Sequence, residues 1–275
     1  MIDFKDLIKA GLHFGHQTAR WNPKMAHYIW GNRNGIHLID VSKTANQLEQ
    51  AAQFLESIAA KGAQILLVGT KKPAQKATEA TAKAVNMPYV NERWVGGTLT
   101  NYPQVKKSVT KLLHFEDILA RAGSFNYTKK ELSIFQKMGG RLQDNVGGIR
   151  ALKWPVGAIV LIDVKKELTA LKEAHVAKVP VVALVDTNCD PSMVDYVIPG
   201  NDDSPKSVAF VLDYLGQAIQ RGIARAEHKG PQEDTNVATD EPLTVRLAGE
   251  LSQDEEKSGA TRRAPRGPRH APSRR

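Results

Sequence analysis

With 275 residues, 41% of them hydrophobic and 24% charged, the chain is long enough to bury a substantial core and has a globular composition. Its formal charge of +9 favours a polyanionic partner, although a basic soluble protein without such a partner is the alternative. The single cysteine, Cys189, excludes an internal disulfide and a multi-cysteine zinc site and fits a reducing cytosol. Because no signal-peptide pattern and no apolar run of ~20 residues occur, we expect a cytoplasmic protein with no membrane partner.

The first 35 residues are rich in polar and aromatic side chains and show little periodicity beyond a short amphipathic helix predicted at residues 3–10. Irregular segments of this composition favour contact with a partner over packing. Trp21 either makes such a contact or belongs to a small hydrophobic cluster under a loop. Asn and Gly residues at positions 31–35 predict a turn.

From residue 36 onward, strand and helix patterns alternate at the spacing of βαβ units. Ser42 or Thr44 is predicted to cap the first of these helices. The pattern predicts an α/β fold with a mostly parallel sheet and right-handed connections. The predicted strands are residues 36–40, 64–68, 88–90, 158–162, 181–185 and 197–198.

One strand end is basic, which predicts that an anion binds there. The apolar run Ile65–Val68 is followed by Gly69, Thr70, Lys71 and Lys72, and ligands of open α/β sheets bind at such strand ends. The anion is either a nucleotide phosphate in an enzyme or the backbone of a nucleic acid. The segment matches neither a P-loop nor a dinucleotide-binding motif, which weakens the enzyme hypothesis.

Two later segments offer further nucleic-acid contacts. Arg93 and Trp94 supply a guanidinium and a flat ring that either hold a phosphate and stack on a base or form an internal cation–π contact. Residues 103–146 predict an inserted helical hairpin with a capping box at Thr128 and Glu131. Its excess of basic residues suits an RNA clamp, and a solvated charged face is the alternative.

Catalytic chemistry has little support in the sequence. No nucleophile-elbow, zinc-protease or Cys-x-x-Cys motif occurs. Cys189 is a weak candidate nucleophile, because the aspartates around it disfavour a thiolate. Beyond residue 228 periodicity is largely lost, and the chain ends in a run of arginine and proline that predicts a disordered electrostatic arm.

Five segments, in register along the chain, resemble bacterial small-subunit ribosomal protein two: residues 11–25, 68–71, 93–101, 185–188 and 198–203. The likeness extends over about residues 3–225. It implies a flavodoxin-like three-layer α/β sandwich with an inserted α-helical hairpin. It also implies a non-enzymatic, structural protein that binds ribosomal RNA and helps to dock the large mRNA-binding ribosomal protein one. The Arg/Pro tail departs from the commonly acidic C-termini of this family.

The chain is accordingly predicted to divide into three parts: an α/β RNA-binding core at residues 1–102 and 147–227, the hairpin at 103–146, and a disordered tail at 228–275. Expected partners are small-subunit ribosomal RNA and neighbouring small-subunit proteins, and no cofactor is required. The residues expected to contact RNA are Arg20, Trp21, Asn22, Lys24, Arg33, Asn34, Lys71, Lys72, Arg93, Trp94, Lys106 and Lys107.

A metal site is a separate hypothesis. Asp186 closes one predicted strand, and Asp202 and Asp203 follow its neighbour, so their carboxylates should converge at one sheet edge. The N-terminal loop is predicted to bring His16 to the same edge. Oxygen ligands alone suit Mg²⁺, whereas an added imidazole favours Zn²⁺. Alternatively, aspartates such as Asp190 and Asp203 cap turns and helix N-termini.

Overall fold

The computed structural model describes residues 3–121 and 127–229. The predicted tail, apart from residues 228 and 229, lies outside the described residues, as does most of the predicted break at 122–127. Among the described helices, none combines the length and apolar character that crossing a bilayer requires.

Seven α-helices and eight β-strands make up the described part of the chain. The helices are α1 (Phe4–Ala10), α2 (Val41–Ala60), α3 (Lys72–Ala84), α4 (Tyr102–Ala120), α5 (Lys129–Val146), α6 (Leu168–Val176) and α7 (Pro205–Lys229). The strands are β1 (Phe14–Gln17), β2 (Ile29–Arg33), β3 (Ile36–Ile39), β4 (Ile65–Val68), β5 (Tyr89–Val90), β6 (Ala158–Ile162), β7 (Val181–Val185) and β8 (Tyr196–Pro199). Short 3₁₀ turns occupy Thr18–Arg20, Pro23–Tyr28 and Gly147–Ile149.

A five-stranded parallel sheet in the order β5-β4-β6-β7-β8 forms the centre of the fold. Its strands are buried on both faces because successive side chains alternate between two hydrophobic cores. In β4, for example, Ile65 and Leu67 pack with α2, α3 and α7, whereas Leu66 and Val68 pack with α4 and α6. The predicted flavodoxin-like three-layer sandwich is confirmed.

The prediction was wrong for residues 36–40, which do not join the parallel sheet. Strand β3 instead lies between β1 and β2 in a separate antiparallel sheet. Of its four residues only Ile39 is buried, so the segment cannot be a central strand covered on both faces. The N-terminal segment predicted to be irregular supplies β1, and the turn narrows to Asn34 and Gly35, which have φ of 52° and 76°.

The structure shows which residues cap the N-termini of α5 and α2. The capping box of α5 is confirmed, since Thr128 Oγ1 accepts from the Glu131 amide and Glu131 accepts from the Thr128 amide. The cap of α2 was wrongly assigned to Ser42 or Thr44. Asp40 takes this position, and its carboxylate accepts from the Ser42 amide at 3.0 Å.

Candidate functional site

The carboxyl ends of the parallel strands bring charged side chains together, because parallel strands end at the same edge of a sheet. Lys71 follows β4, Asp163 follows β6, Asp186 follows β7, and Asp202 and Asp203 follow β8. We call these five residues and His16 the strand-end cluster. The predicted convergence of Asp186 and Asp202 is present in the structure.

Strand β1 lies against this edge and carries His16 into it. The His16 amide donates to Thr187 Oγ1 at 2.9 Å. Its ring nitrogens face two carboxylates, with Nδ1 3.0 Å from Asp186 Oδ2 and Nε2 3.3 Å from Asp203 Oδ2. A Cβ on Gly15 would lie 2.6 Å from Thr187 Cγ2, so this approach requires glycine. The hydrogen bond that His16 donates to the Asp186 carboxylate raises the pKa of His16.

Lys71 is the permanent cation of the cluster. Its Nζ lies 2.8 Å from Asp202 Oδ1, 2.6 Å from Asp203 Oδ1 and 3.4 Å from Asp163 Oδ2. Burial opposes the ammonium form, but the hydrogen bonds to Asp202 and Asp203 raise the pKa of Lys71 above its usual value. The positive charge that the sequence suggested for an external phosphate is therefore used by aspartates of the protein itself.

Asp202 is the most enclosed acid of the cluster, with an exposed fraction of 0%. One oxygen, Oδ1, accepts from Lys71, whereas Oδ2 accepts no hydrogen bond from any described residue. Burial, followed by the charges of Asp163 and Asp186, raises the pKa of Asp202. A buried carboxylate oxygen without a donor is costly and calls for a cation or a proton.

Part of the edge corresponds to the place where flavodoxin-like sheets bind ligands. Counted from β4, the strand order is 2-1-3-4-5, and its switch point lies between β4 and β6. There Glu167 accepts from the amide and hydroxyl of Thr70, and Lys166 Nζ donates to the Thr70 carbonyl at 2.8 Å. The polar groups at this position are thus paired within the protein.

Cys189 is unsuited to nucleophilic catalysis. Its side chain is buried, with 1% exposed. Burial and the nearby charge of Asp163 raise the pKa of its thiol to about 12. The thiol form therefore persists at neutral pH, in agreement with the weak support that the sequence gave to this nucleophile.

Of the two aspartates named above as candidate caps, Asp190 and Asp203, only Asp190 takes that role. Asp190 Oδ1 accepts from the Ser192 amide at 3.0 Å and caps a turn. Asp203 does not cap α7, since its amide and that of Ser204 donate instead to Asn201 Oδ1. The Asp203 carboxylate belongs to the strand-end cluster.

A second site, the loop between β5 and α4, is held by a residue that the sequence did not indicate. Glu173 of α6 accepts from the Trp94 indole Nε1 at 3.0 Å and from the amides of Gly97 and Leu99 at 2.9 and 3.1 Å. The ring of Trp94 is buried in the core. Trp94 therefore packs in the core and does not stack on a base. Of the pair, only Arg93 has an exposed side chain.

The remaining predicted RNA contacts are found mainly at the surface around the antiparallel sheet. The Thr18 amide donates to the Gly35 carbonyl at 3.0 Å and joins the segment of Arg20 and Trp21 to the β2–β3 turn of Arg33 and Asn34. Trp21 is 38% exposed, and its ring centroid is 5.3 Å from that of His37.

Two neighbours of Trp21 have partners within the protein. Asn22 accepts from the Lys24 amide at 3.0 Å, and its own amide donates to the Thr187 carbonyl. Lys24 Nζ lies 2.7 Å from Asp190 Oδ2. The ammonium group of Lys24 therefore already has a carboxylate partner.

Six of the predicted contacts share a different property, since they are exposed cations that form no ion pair with any residue of the described ranges. We call them the unpaired cationic set: Arg20, Arg33, Lys72, Arg93, Lys106 and Lys107. Such cations are free to bind an external anion, in contrast to Lys71.

Comparison with known proteins gives a consistent result. A family model described as ribosomal protein S2 matches residues 7–222. The chain is 44% identical over 226 residues to the small ribosomal subunit protein uS2 of Rhodopseudomonas palustris (strain TIE-1), with 82% of this chain and 68% of that protein covered. It is 43% identical over 239 residues to the uS2 protein of Fusobacterium nucleatum, with 86% and 97% covered. The uS2 protein of Koribacter versatilis is 44% identical over 237 residues, with 86% and 78% covered.

Proposed function

The chain belongs to the ribosomal protein S2 family, and from that premise we propose that it binds small-subunit ribosomal RNA through its unpaired cationic set. Membership of the family makes it a structural component of the small subunit of the cytoplasmic ribosome and not an enzyme. The contacts with ribosomal RNA are the part that we propose.

The observation that carries this proposal is the absence of intramolecular carboxylate partners at six exposed cations within the described residues. An unpaired surface cation costs little to leave in water and is free to replace a condensed counterion on a phosphate. Asn34 and Trp21 lie beside Arg33 and Arg20 and add hydrogen-bonding and stacking capacity. Lys71 and Trp94 are left out of the proposed interface, because both have partners inside the protein.

The salt dependence of RNA binding tests the proposal. In the full chain, Arg20→Gln with Arg33→Gln removes two proposed phosphate contacts. The slope of log K against log salt should then fall by roughly two units. The matched control is Lys83→Gln with Arg121→Gln, which removes the same charge from exposed cations paired with Glu79 and Asp117.

The control distinguishes local contacts from overall charge. A smaller change in slope for the control than for the test pair supports contact at the antiparallel sheet. An unchanged slope for the test pair, or equal losses in both variants, contradicts it. Binding is measured to isolated small-subunit ribosomal RNA at several salt concentrations.

A second proposal is that α1 contributes to docking the large mRNA-binding ribosomal protein one. Phe4 and Ile8 are 51% and 50% exposed and lie one turn apart on this helix, which favours contact with protein over RNA. Small subunits carrying Phe4→Ser with Ile8→Ser should retain this chain and lose protein one in quantitative mass spectrometry. The control is Ile134→Ser with Met138→Ser on α5, and equal retention of protein one in both would refute the proposal.

A further inference from the structure

An exposed tryptophan lies near the amino edge of the parallel sheet, at the other end of the strands from the strand-end cluster. Trp154 belongs to the segment between the Gly147–Ile149 turn and β6, and 45% of it is exposed. It is not among the RNA contacts proposed above. A large aromatic side chain left at the surface is a typical contact for a partner, because burying its ring stabilises a complex strongly.

The backbone that carries Trp154 is fixed by side chains from two other parts of the fold. Gln64 donates to one carbonyl of this segment at 3.0 Å and accepts from the Lys153 amide at 2.6 Å. Between these two bonds, the hydroxyl of Tyr102 donates to the Leu152 carbonyl, and the Leu152 side chain is buried. The exposed ring is therefore attached to a backbone that is held in place.

Tyr102 also contacts the ring itself. The centroids of Tyr102 and Trp154 are 6.3 Å apart and their planes are inclined by 21°, which is an offset stacked arrangement. Tyr102 begins α4 and packs against the core, so it supports the indole from the protein side. The exposed part of the indole is available to another flat ring, and a ring that is already oriented loses little conformational entropy on binding.

Two cations accompany this pair of rings and form no ion pair with any residue of the described ranges. Lys153 directly precedes Trp154, and its side chain is exposed. Lys106 is exposed and lies four positions after Tyr102 on α4, so the two side chains share one face of the helix. An oriented aromatic ring with free ammonium groups is the combination that binds single-stranded RNA, since bases stack on the ring and phosphates meet the cations.

We propose that Trp154 stacks on an unpaired base of RNA, and that Lys106 and Lys153 bind phosphates next to that nucleotide. This inference rests on the RNA-binding function proposed above and adds to it a site for single-stranded RNA near the amino edge of the sheet. The two lysines favour RNA over a protein partner, because lysine is depleted in protein–protein interfaces.

Binding of two RNA probes to the full chain tests the site. A single-stranded oligouridylate of about 10 nucleotides offers unpaired bases, whereas a duplex of the same length keeps its bases stacked inside the helix. Trp154→Ala should bind the oligouridylate roughly tenfold more weakly than the wild type and should bind the duplex equally well. The slope of log K against log salt should stay the same, because no phosphate contact is removed.

Two further variants separate stacking from charge. Phe4→Ala is the matched control, since Phe4 is an aromatic residue of similar exposure, 51%, that lies on α1 outside this site. It should bind the oligouridylate as the wild type does. Lys106→Gln with Lys153→Gln keeps the ring, and should lower the slope by roughly two units.

Tryptophan emission provides a readout that does not depend on a loss of affinity. Stacking on a base quenches an indole, so the oligouridylate should quench the emission of the wild type more than that of Trp154→Phe. That variant keeps a ring against Tyr102, and is expected to fold normally even if Trp154→Ala does not.

The proposal is overturned if folded Trp154→Ala binds the oligouridylate as tightly as the wild type, or if Trp154→Phe shows undiminished quenching. Equal weakening for the oligouridylate and the duplex also contradicts it, because an open base face is then not what the ring recognises. Failure of the unpaired cationic set is a different result: the variant of Arg20 and Arg33 then keeps the salt slope of the wild type, whatever Trp154→Ala does.

Discussion

Basic side chains at the carboxyl edge of the parallel sheet and on the antiparallel sheet differ in whether they have carboxylate partners. At the edge, Lys71 contacts three aspartates and is largely withdrawn from solvent. On the antiparallel sheet, Arg33 is exposed and has no carboxylate partner among the described residues. The first arrangement stabilises the fold, and the second is available to a partner.

The same contrast occurs between two residues that are adjacent in sequence. Lys71 is the N-cap residue of α3 and points into the strand-end cluster, whereas Lys72 begins the helix and is exposed. A basic pair at a strand end therefore does not define a phosphate site by itself. The carboxylates that tertiary structure brings to the other strand ends decide which lysine remains free.

Removing Lys71 should have the largest effect. Lys71→Ala leaves the buried Asp202 carboxylate without its counter-charge, and loss of one partner of a buried ion pair costs about 3 kcal/mol of unfolding free energy. Urea denaturation followed by circular dichroism measures it. Lys72→Ala is the control and should change stability by about 0.5 kcal/mol or less, and similar values for the two variants would contradict the contrast.

A Glu173 variant tests whether hydrogen bonds to this carboxylate fix the loop between β5 and α4, which carries Arg93. Glu173→Ala removes the acceptor of one indole and two backbone N–H groups, and should lower the free energy of unfolding by about 2 kcal/mol. The adjacent exposed Lys172 provides the control as Lys172→Ala. Unchanged emission of the buried Trp94 in Glu173→Ala would argue against this anchoring.

Lys72 should affect RNA binding and not stability. Lys72→Gln is expected to reduce the slope of log K against log salt by roughly one unit, the loss of a single phosphate contact. Its urea midpoint should match that of the wild type. Lys83→Gln, which breaks an exposed pair with Glu79, serves as the charge-matched comparison, and an equal loss of slope there would remove Lys72 from the interface.

The ion pair of Lys24 and Asp190 is exposed, unlike the pairs of Lys71, but has a partner, unlike Arg33. It should contribute least to the free energy of unfolding. Hydrogen bonds from Lys24 and the Ser192 amide lower the pKa of Asp190 to about 2. A lowered folded-state pKa gives stability that is present above the unfolded value of about 4 and is lost as the pH falls through the folded value. Solvent screening limits the effect to about 0.5 kcal/mol.

The measurement compares unfolding free energies of wild type and Asp190→Asn across this pH range. The small difference at neutral pH should disappear below about pH 2. A difference that grows on acidification would mean that Asp190 stabilises the fold in its protonated form.

Much of the fold follows from local pattern. Uninterrupted apolar runs such as Val181–Val185 predict strands covered on both faces, and the structure buries all five residues. The run at residues 36–40 was wrongly assigned to the parallel sheet because it precedes a helix, as the strands of βαβ units do. In the structure Ile36, His37 and Leu38 all keep exposed surface and only Ile39 is buried, so β3 is not covered on both faces.

The site was only partly predictable for a related reason. Asp186 and Asp202 could be placed together because both follow strands of one sheet, and Asp163 follows β6 in the same way and could have been added. The ion pairs of Lys71 could not be inferred, since a phosphate and an aspartate satisfy a lysine equally well. Nothing near Glu173 in sequence indicates that its carboxylate meets the loop at Trp94.

The contact between the end of α1 and the segment after β8 has a consequence for the order in which the protein can form during synthesis. The Asn201 side chain donates to the Gly11 carbonyl, and Ser207 Oγ donates to the Ala10 carbonyl, across 190 and 197 positions. At 5–20 residues per second, these partners emerge roughly 10–40 s after the N-terminal segment. The first part of the chain to be translated is therefore among the last to reach its native contacts.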